Sequence, residues 1–167
     1  MSIGMAGRST DAQRGAGEQL REFLSFRLGA EEYGIEILKV QEIKGYTAIT
    51  PVPNTPGSLK GVMNLRGTIV PVVDLRAKFG MEAAEYTAFT VIIVLMVGTK
   101  VMGLIVDAVS DVLNIPKADI QATPDFGAQV DARFISGMAR AGDKLVVLLD
   151  IDRVLGEAAL ADLGGIN

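Results

Sequence analysis

The sequence contains no histidine, no cysteine and no tryptophan. Without histidine and cysteine, the side chains that most often shuttle protons near neutral pH, ligate soft metals or act as activated nucleophiles are missing. Hydrolytic triads and zinc sites are therefore excluded. The lack of cysteine also removes any disulfide framework, and nothing in the composition speaks for an oxidising compartment. An enzyme would have to work through paired carboxylates or a lysine. The acidic residues Glu31, Glu32, Glu36, Glu42, Asp74, Glu82, Glu85, Asp107 and Asp111 show no spacing that marks such a pair. There is no Walker A motif and no G-x-G-x-x-G run after a strand. We therefore expect a protein that is not an enzyme and uses neither cofactor nor metal.

Aromatic residues are scarce, three tyrosines and six phenylalanines, which weakens any reading of a small-molecule site built on an aromatic platform. Positive charge does not predominate: the formal net charge is −4 and no Lys/Arg cluster interrupts it, the opposite of a nucleic-acid footprint. The one long apolar run, Phe89 to Val97, is nine residues, against the roughly 20 that a membrane-spanning helix needs. No signal-peptide core stands at the N-terminus. The expectation is a cytoplasmic protein with protein or small-molecule partners, no nucleic acid and no membrane insertion. What is present is apolar, 49% of 167 residues, enough to bury a core as one domain or as two small lobes.

The stretch around which the chain is organised is Asn64-Leu65-Arg66-Gly67-Thr68-Ile69-Val70-Pro71-Val72-Val73-Asp74-Leu75. Gly61 to Leu65 and Ile69 to Val73 read as a β-hairpin with Arg66 at its tip beside a turn glycine. A merely solvated turn arginine is the alternative. Upstream, residues 1–20 read as a loose tail. Phe23 to Leu28 and Tyr33 to Ile37 read as a hairpin, and Val40 to Ile43 as extended chain, with a helical turn over Glu36 to Lys44 as the alternative. Pro51, Pro53 and Pro56 dictate a loop, after which Ser58 to Lys60 is expected as one helical turn. Pro71 lacks an N–H and is expected at an edge or a bulge, leaving backbone open to a partner. Leu75 to Phe79 reads as a short helix stopped by Gly80.

Thr90 to Val97 is apolar and β-branched throughout, the pattern of a strand buried on both faces. Val101 to Val106, Val109 to Leu113, Phe134 to Arg140 and Leu145 to Ile151 read as further strands. Asp152 to about Leu163 suggests a closing amphipathic helix.

The chain also repeats. At an offset of 69 residues, Gly29, Gly34, Ile35, Ile37, Val40 and Ile43 fall on Gly98, Gly103, Leu104, Val106, Val109 and Val112; at an offset of 76, Gly61, Val70, Val72, Asp74 and Leu75 fall on Gly137, Val146, Leu148, Asp150 and Ile151. Shared glycines and a shared terminal aspartate point to duplication, each copy having about five short strands, the size of a small closed barrel. The recurring aspartate suits a cap for the helix that follows it. The Arg66 tip does not recur: its counterpart is Arg140-Ala141-Gly142-Asp143. The barrel itself does not need that arginine, which favours a functional role.

Four stretches carry a family resemblance: Glu31-Glu32-Tyr33-Gly34-Ile35-Glu36-Ile37-Leu38-Lys39-Val40-Gln41-Glu42-Ile43, Lys60-Gly61-Val62-Met63-Asn64-Leu65-Arg66-Gly67, Val70-Pro71-Val72-Val73-Asp74-Leu75-Arg76 and Val106-Asp107-Ala108-Val109-Ser110-Asp111-Val112-Leu113. With these assembled the chain closely resembles the CheW-type chemotaxis coupling proteins over roughly Glu22 to Leu155. The resemblance implies a mainly all-β fold of two SH3-like five-stranded β-barrels packed on each other, with short helices and a C-terminal helix. It divides the chain into a tail at 1–20, a CheW-like domain at 21–155 and a C-terminal helix or tail at 156–167. The domain would consist of two intertwined barrels at about 21–88 and 89–155.

The resemblance further implies a non-catalytic adaptor. Its partners would be the regulatory domain of the histidine kinase CheA and the cytoplasmic domain of a methyl-accepting chemoreceptor, with contacts between CheW-type copies in arrays. Val40, Glu42, Ile43, Gly61, Asn64 and Arg66 would border a receptor-binding groove between the barrels, with Val91, Leu104, Val109 and Val112 as apolar wall. For Val109 and Val112 in particular, core packing is the competing reading. The kinase would use the barrel ends.

Overall fold

Runs of β-branched and aromatic residues bounded by glycine or polar turns become ten strands among the described residues. In chain order these are β1 Leu20–Leu28, β2 Glu31–Glu36, β3 Val40–Gly45, β4 Leu59–Leu65, β5 Thr68–Asp74, β6 Val91–Val97, β7 Lys100–Val106, β8 Ala108–Pro116, β9 Ile135–Ala141 and β10 Lys144–Leu149. Two short helices, α1 Leu75–Lys78 and α2 Ile151–Glu157, follow β5 and β10, and a 3-10 turn spans Ile37–Lys39. The computed structural model describes residues 19–55, 57–122 and 132–157. Nearly all of the expected tail and the later part of the expected closing helix lie outside the described residues.

The strands form two five-stranded sheets, the first in the order β8-β1-β2-β10-β9 and the second in the order β3-β6-β7-β5-β4. They are the two SH3-like barrels. The division near residue 88 separates the sequence copies, not the sheets. The first sheet takes β1 and β2 from the first copy and β8 to β10 from the second; the second sheet takes the reverse set. The physical reason lies in the two connections where the chain changes sheet. Ile37–Lys39 and the single residue Asp107 contain no turn glycine, so the chain does not double back on itself but runs on into the other sheet.

Duplication is preserved in the register. Leu24 faces Val112 and Ser25 faces Asp111 across β1 and β8, just as Ile93 faces Ile43 and Val94 faces Glu42 across β6 and β3. Gly34 lies beside Leu148, as Gly103 lies beside Val72, in the two parallel ladders. An ideal Cβ on either glycine would stand 3.0 Å from a neighbouring side-chain carbon, which is why both copies keep glycine there. Asp74 caps α1 by accepting from the Arg76 N–H at 3.0 Å, and Asp150 accepts from the Arg153 N–H at 3.3 Å, as the recurring aspartate led us to expect.

Alternate residues of the central strands serve different cores. On β6, Ile92 and Val94 join Met63, Val70 and Val72 inside the second barrel, while Ile93 and Leu95 join a larger cluster that takes in Leu24, Phe26, Tyr33 and Ile35 of the first sheet. A third cluster, around Phe23, Ile115, Val146 and Leu148, fills the first barrel. The largest core therefore sits between the barrels and is built by both. Two local expectations are corrected. Ser58 to Lys60 is not a helical turn, since Leu59 already begins β4 and alternates buried and exposed along it. Pro71 is at neither edge nor bulge: β5 lies inside its sheet. The opposite residue Val62 turns its N–H and C=O away from β5, to Thr50 at 2.9 and 2.8 Å, and the ladder to β7 begins only at Val72. No partner therefore asks for the donor that Pro71 lacks.

Candidate functional site

β3 and β8 are edge strands of their sheets, equivalent in the repeat. A register shift between Val40 and Glu42, matched by one between Ser25 and Phe26 opposite β8, brings residues three apart onto one face. Val40 pairs with Leu95 and Ile43 with Ile93; Val109 pairs with Phe26 and Val112 with Leu24. All four partners belong to the core between the barrels, and directly paired residues share a face. Val40, Ile43, Val109 and Val112 thus extend that core outward along both edges. Val40 and Val109 are half-buried against it, whereas Ile43 and Val112 are 42% and 45% exposed. Val91, also half-buried against the same core, belongs to this face.

Arg66 stands at the tip of the β4–β5 hairpin with φ +51°, followed by Gly67 at φ +89°. Positive φ at both central residues is the arrangement of a type I′ turn, which matches the twist of the strands. The turn is held by Asn64, whose Oδ1 accepts from the Gly67 N–H at 2.7 Å. Asn64 is therefore an exposed residue with a turn-forming role. The Arg66 side chain reaches across to Glu42 on β3 and forms a forked ion pair, Nη1 to Oε1 at 3.3 Å and Nη2 to Oε2. This contact joins the two edges of the second sheet, β3 and β4–β5, at the surface. The hydrogen-bonded guanidinium holds the Glu42 carboxyl below the usual carboxylate range.

Two of the ten expected residues do not reach this surface. Leu104 is fully buried in the core between the barrels. Gly61 is buried beneath Thr50, which leaves no space for a side chain. Leu104 supports the face from within, paired with the Ile93 that Ile43 also faces, whereas Gly61 belongs to the β4 contact with Thr50. Sequence reasoning missed the tie between Arg76 and Asp107, whose side chains meet in a forked pair at 2.9 and 2.6 Å; the one available signal was a lone aspartate between two apolar strands. Two surface hollows of about 310 and 340 Å³ lie along β9 and β10 and include none of the ten residues.

The Glu42–Arg66 pair flanks the apolar face from the other side of β3, since Glu42 pairs with Val94 of the second barrel's core. An exposed apolar face bordered by charge is suited to contact with another macromolecule. The family model for the CheW-like domain matches residues 22–159. The chain belongs to the CheW-like domain family. It is 47% identical over 161 residues to a chemotaxis protein CheW from Klebsiella aerogenes, covering 95% of this chain and 96% of that one. To the chemotaxis protein CheW of Rhizobium meliloti it is 43% identical over 134 residues, 80% of this chain and 86% of that one. The crystal structure of scaffolding protein TtCheW from Thermoanaerobacter tengcongensis superposes with a TM-score of 0.76 at 32% identity, covering 82% and 88% of the two chains. As a CheW-type protein the chain is a chemotaxis coupling scaffold. Among the described residues no helix is long and apolar enough to cross a membrane.

Proposed function

We propose that this CheW-type chain is a non-catalytic cytoplasmic bridge between the signalling tips of methyl-accepting chemoreceptors and the regulatory domain of a CheA-type histidine kinase. The observation that carries this reading is the apolar face along β3 and β8, where Val40 and Ile43 stand as repeat equivalents of Val109 and Val112. A receptor helix would lay its apolar anchors along that face, in helix-in-groove fashion, with Val91 at its base. Glu42 and Arg66 would fix the helix register by charge, and Asn64 would keep the arginine presented on its turn. The kinase would take the barrel ends, and further copies of the chain would extend the assembly into arrays.

The test is sedimentation of ternary complexes formed from this protein, a CheA-type regulatory domain and a receptor cytoplasmic fragment. Arg66→Glu is expected to lose the receptor fragment and keep the kinase domain. The charge-swapped pair Glu42→Arg with Arg66→Glu separates two roles. Recovery of receptor binding would mean that the ion pair alone matters; continued loss would mean that Arg66 itself meets the receptor. A wild-type protein that binds neither partner would sink the proposal.

A further inference from the structure

The chain passes from one sheet to the other at two places, and each crossing is tied to the second residue of a helix. The crossings are equivalent in the repeat: Leu38 in the turn Ile37–Lys39 corresponds to Asp107 at the offset of 69, and Arg76 of α1 corresponds to Asp152 of α2 at the offset of 76. Between β7 and β8, the Arg76 guanidinium donates to both Asp107 carboxylate oxygens at 2.9 and 2.6 Å, and the Gly29 N–H adds a third bond at 2.8 Å. The Asp107 N–H donates to the Arg27 carbonyl at 3.1 Å, and Arg76 Nη1 reaches the Glu82 carbonyl at 3.0 Å. Between β2 and β3 the polarity is reversed and the tie is thinner. Lys39 Nζ donates to Asp152 Oδ2 at 2.7 Å, and Asp152 Oδ1 is buried with no hydrogen-bond partner among the described residues. The side chains of the first pair are 18% and 26% exposed, those of the second 33% and 45%.

A planar guanidinium forked onto a carboxylate fixes direction as well as distance, whereas a lysine ammonium is a single rotatable point charge. One crossing is therefore held by a directional fork and the other by a single charge contact. The residue after Lys39 is Val40, the first apolar residue of the docking face. We infer that Lys39 and Asp152 are positioning residues for that face: their contact seats the β2–β3 crossing on α2 and so sets where Val40 and Ile43 stand relative to Val109 and Val112. The inference rests on the docking reading of β3 and β8 given above. Neither residue needs to touch the partner.

The experiment uses the full chain as Lys39→Ala, Asp152→Ala, Lys39→Arg and the swap Lys39→Asp with Asp152→Lys. It reads amide hydrogen exchange of β3 and β8, affinity for a receptor cytoplasmic fragment and affinity for a CheA-type regulatory domain. Each alanine variant is expected to speed exchange in β3 but not β8 and to weaken receptor binding about two- to fivefold, the scale of one partly exposed ion pair. Kinase-domain affinity is expected to stay at the wild-type value. Lys39→Arg and the swap are expected to restore both exchange and receptor affinity, which a purely local packing loss would not allow. Unchanged β3 exchange in the alanine variants overturns the inference, and so does faster exchange with receptor affinity intact. Failure of the wild-type chain to bind the receptor fragment instead overturns the docking reading on which it rests, a different result from either.

Discussion

The carbonyl oxygen of Thr50 stands 2.1 Å from the point that a Cβ on Gly61 would occupy, and Gly61 holds φ at +152°. Backbone hydrogen bonds from Thr50 to Val62 in both directions keep that oxygen in place. An alanine at 61 must displace main chain, not a flexible side-chain end, and must also adopt a strained φ. Gly61→Ala is expected to cost about 3 kcal/mol, read as a lower urea midpoint with an unchanged slope. Gly67→Ala, at φ +89° with open space around it, carries only the conformational term and is expected to cost about 1 kcal/mol. Equal losses at the two sites would refute the close-approach explanation.

The repeat makes a paired prediction. A methyl on Gly34 would meet Leu148 Cδ2 at 3.0 Å and Val146 at 3.3 Å; one on Gly103 would meet Ile92 Cγ2 at 3.0 Å and Val72 at 3.3 Å. The crowding is the same in kind because Leu148 and Val72 are equivalent in the repeat. Gly34→Ala and Gly103→Ala are each expected to destabilise by about 1–3 kcal/mol, and by similar amounts. Thermal unfolding of both variants checks this, and a cost at one site alone would show that the two barrels are not packed alike.

Those glycines also show what was legible beforehand. Gly34 and Gly103, like Asp74 and Asp150, could be recognised as equivalent because packing and capping constrain residue type at a single position. Alternation and β-branching likewise marked the strands, and Thr90 to Val97 was readable as doubly buried since β6 serves a core on each face. Strand partners were not legible. A local pattern says that Val40 to Ile43 is extended, but only three-dimensional closure decides that it pairs with β6 of the other copy. The resemblance implies Leu104 as groove wall, and its residue type could not place it more finely, because an apolar strand residue reads the same whether it lines a surface or the core beneath it. Arg76 and Asp107 are 31 residues apart, and no local pattern joins them.

Alkaline pH should find the tyrosines. Tyr33 is fully buried and donates to Glu31 Oε1 at 2.8 Å, stacked on Phe26. Burial first, and then the neighbouring carboxylate, pushes its phenol well above the ordinary range. Tyr86 is pushed the same way by burial and by Asp74, to which its hydroxyl donates at 2.9 Å. Since the folded state binds these protons more tightly than the unfolded state, the stability linked to them is complete below the ordinary phenol value near ~10 and is lost as pH rises above it. Tyr33→Phe removes the titrating group. Its Tm is expected to fall less steeply than that of the wild type above about pH 10, and parallel slopes would rule out the buried phenol as the cause.

Acid pH should find Asp107. The Arg76 guanidinium hydrogen-bonded to its carboxylate holds it below the usual carboxylate range, against the opposing effect of partial burial, and the Gly29 N–H adds to the lowering. The unfolded chain therefore binds this proton more readily than the folded one. The linked stability is present above the unfolded carboxylate value near ~3.9 and is lost as pH falls below it, toward the depressed folded value. Asp107→Asn keeps the size of the side chain and removes the titration, so it should be less stable than wild type at neutral pH yet lose less on acidification. From pH 7 to about 5 the two Tm curves should run parallel, and below about pH 4 they should converge. Because Asp107 lies at the crossing into β8, the same acidification should lower amide protection, measured relative to the intrinsic exchange rate at each pH, in β8 of the wild type before it does so in β4 and β5. Curves that stay parallel throughout the acid range would show that the Arg76 pair makes no pH-dependent contribution to holding the two barrels together.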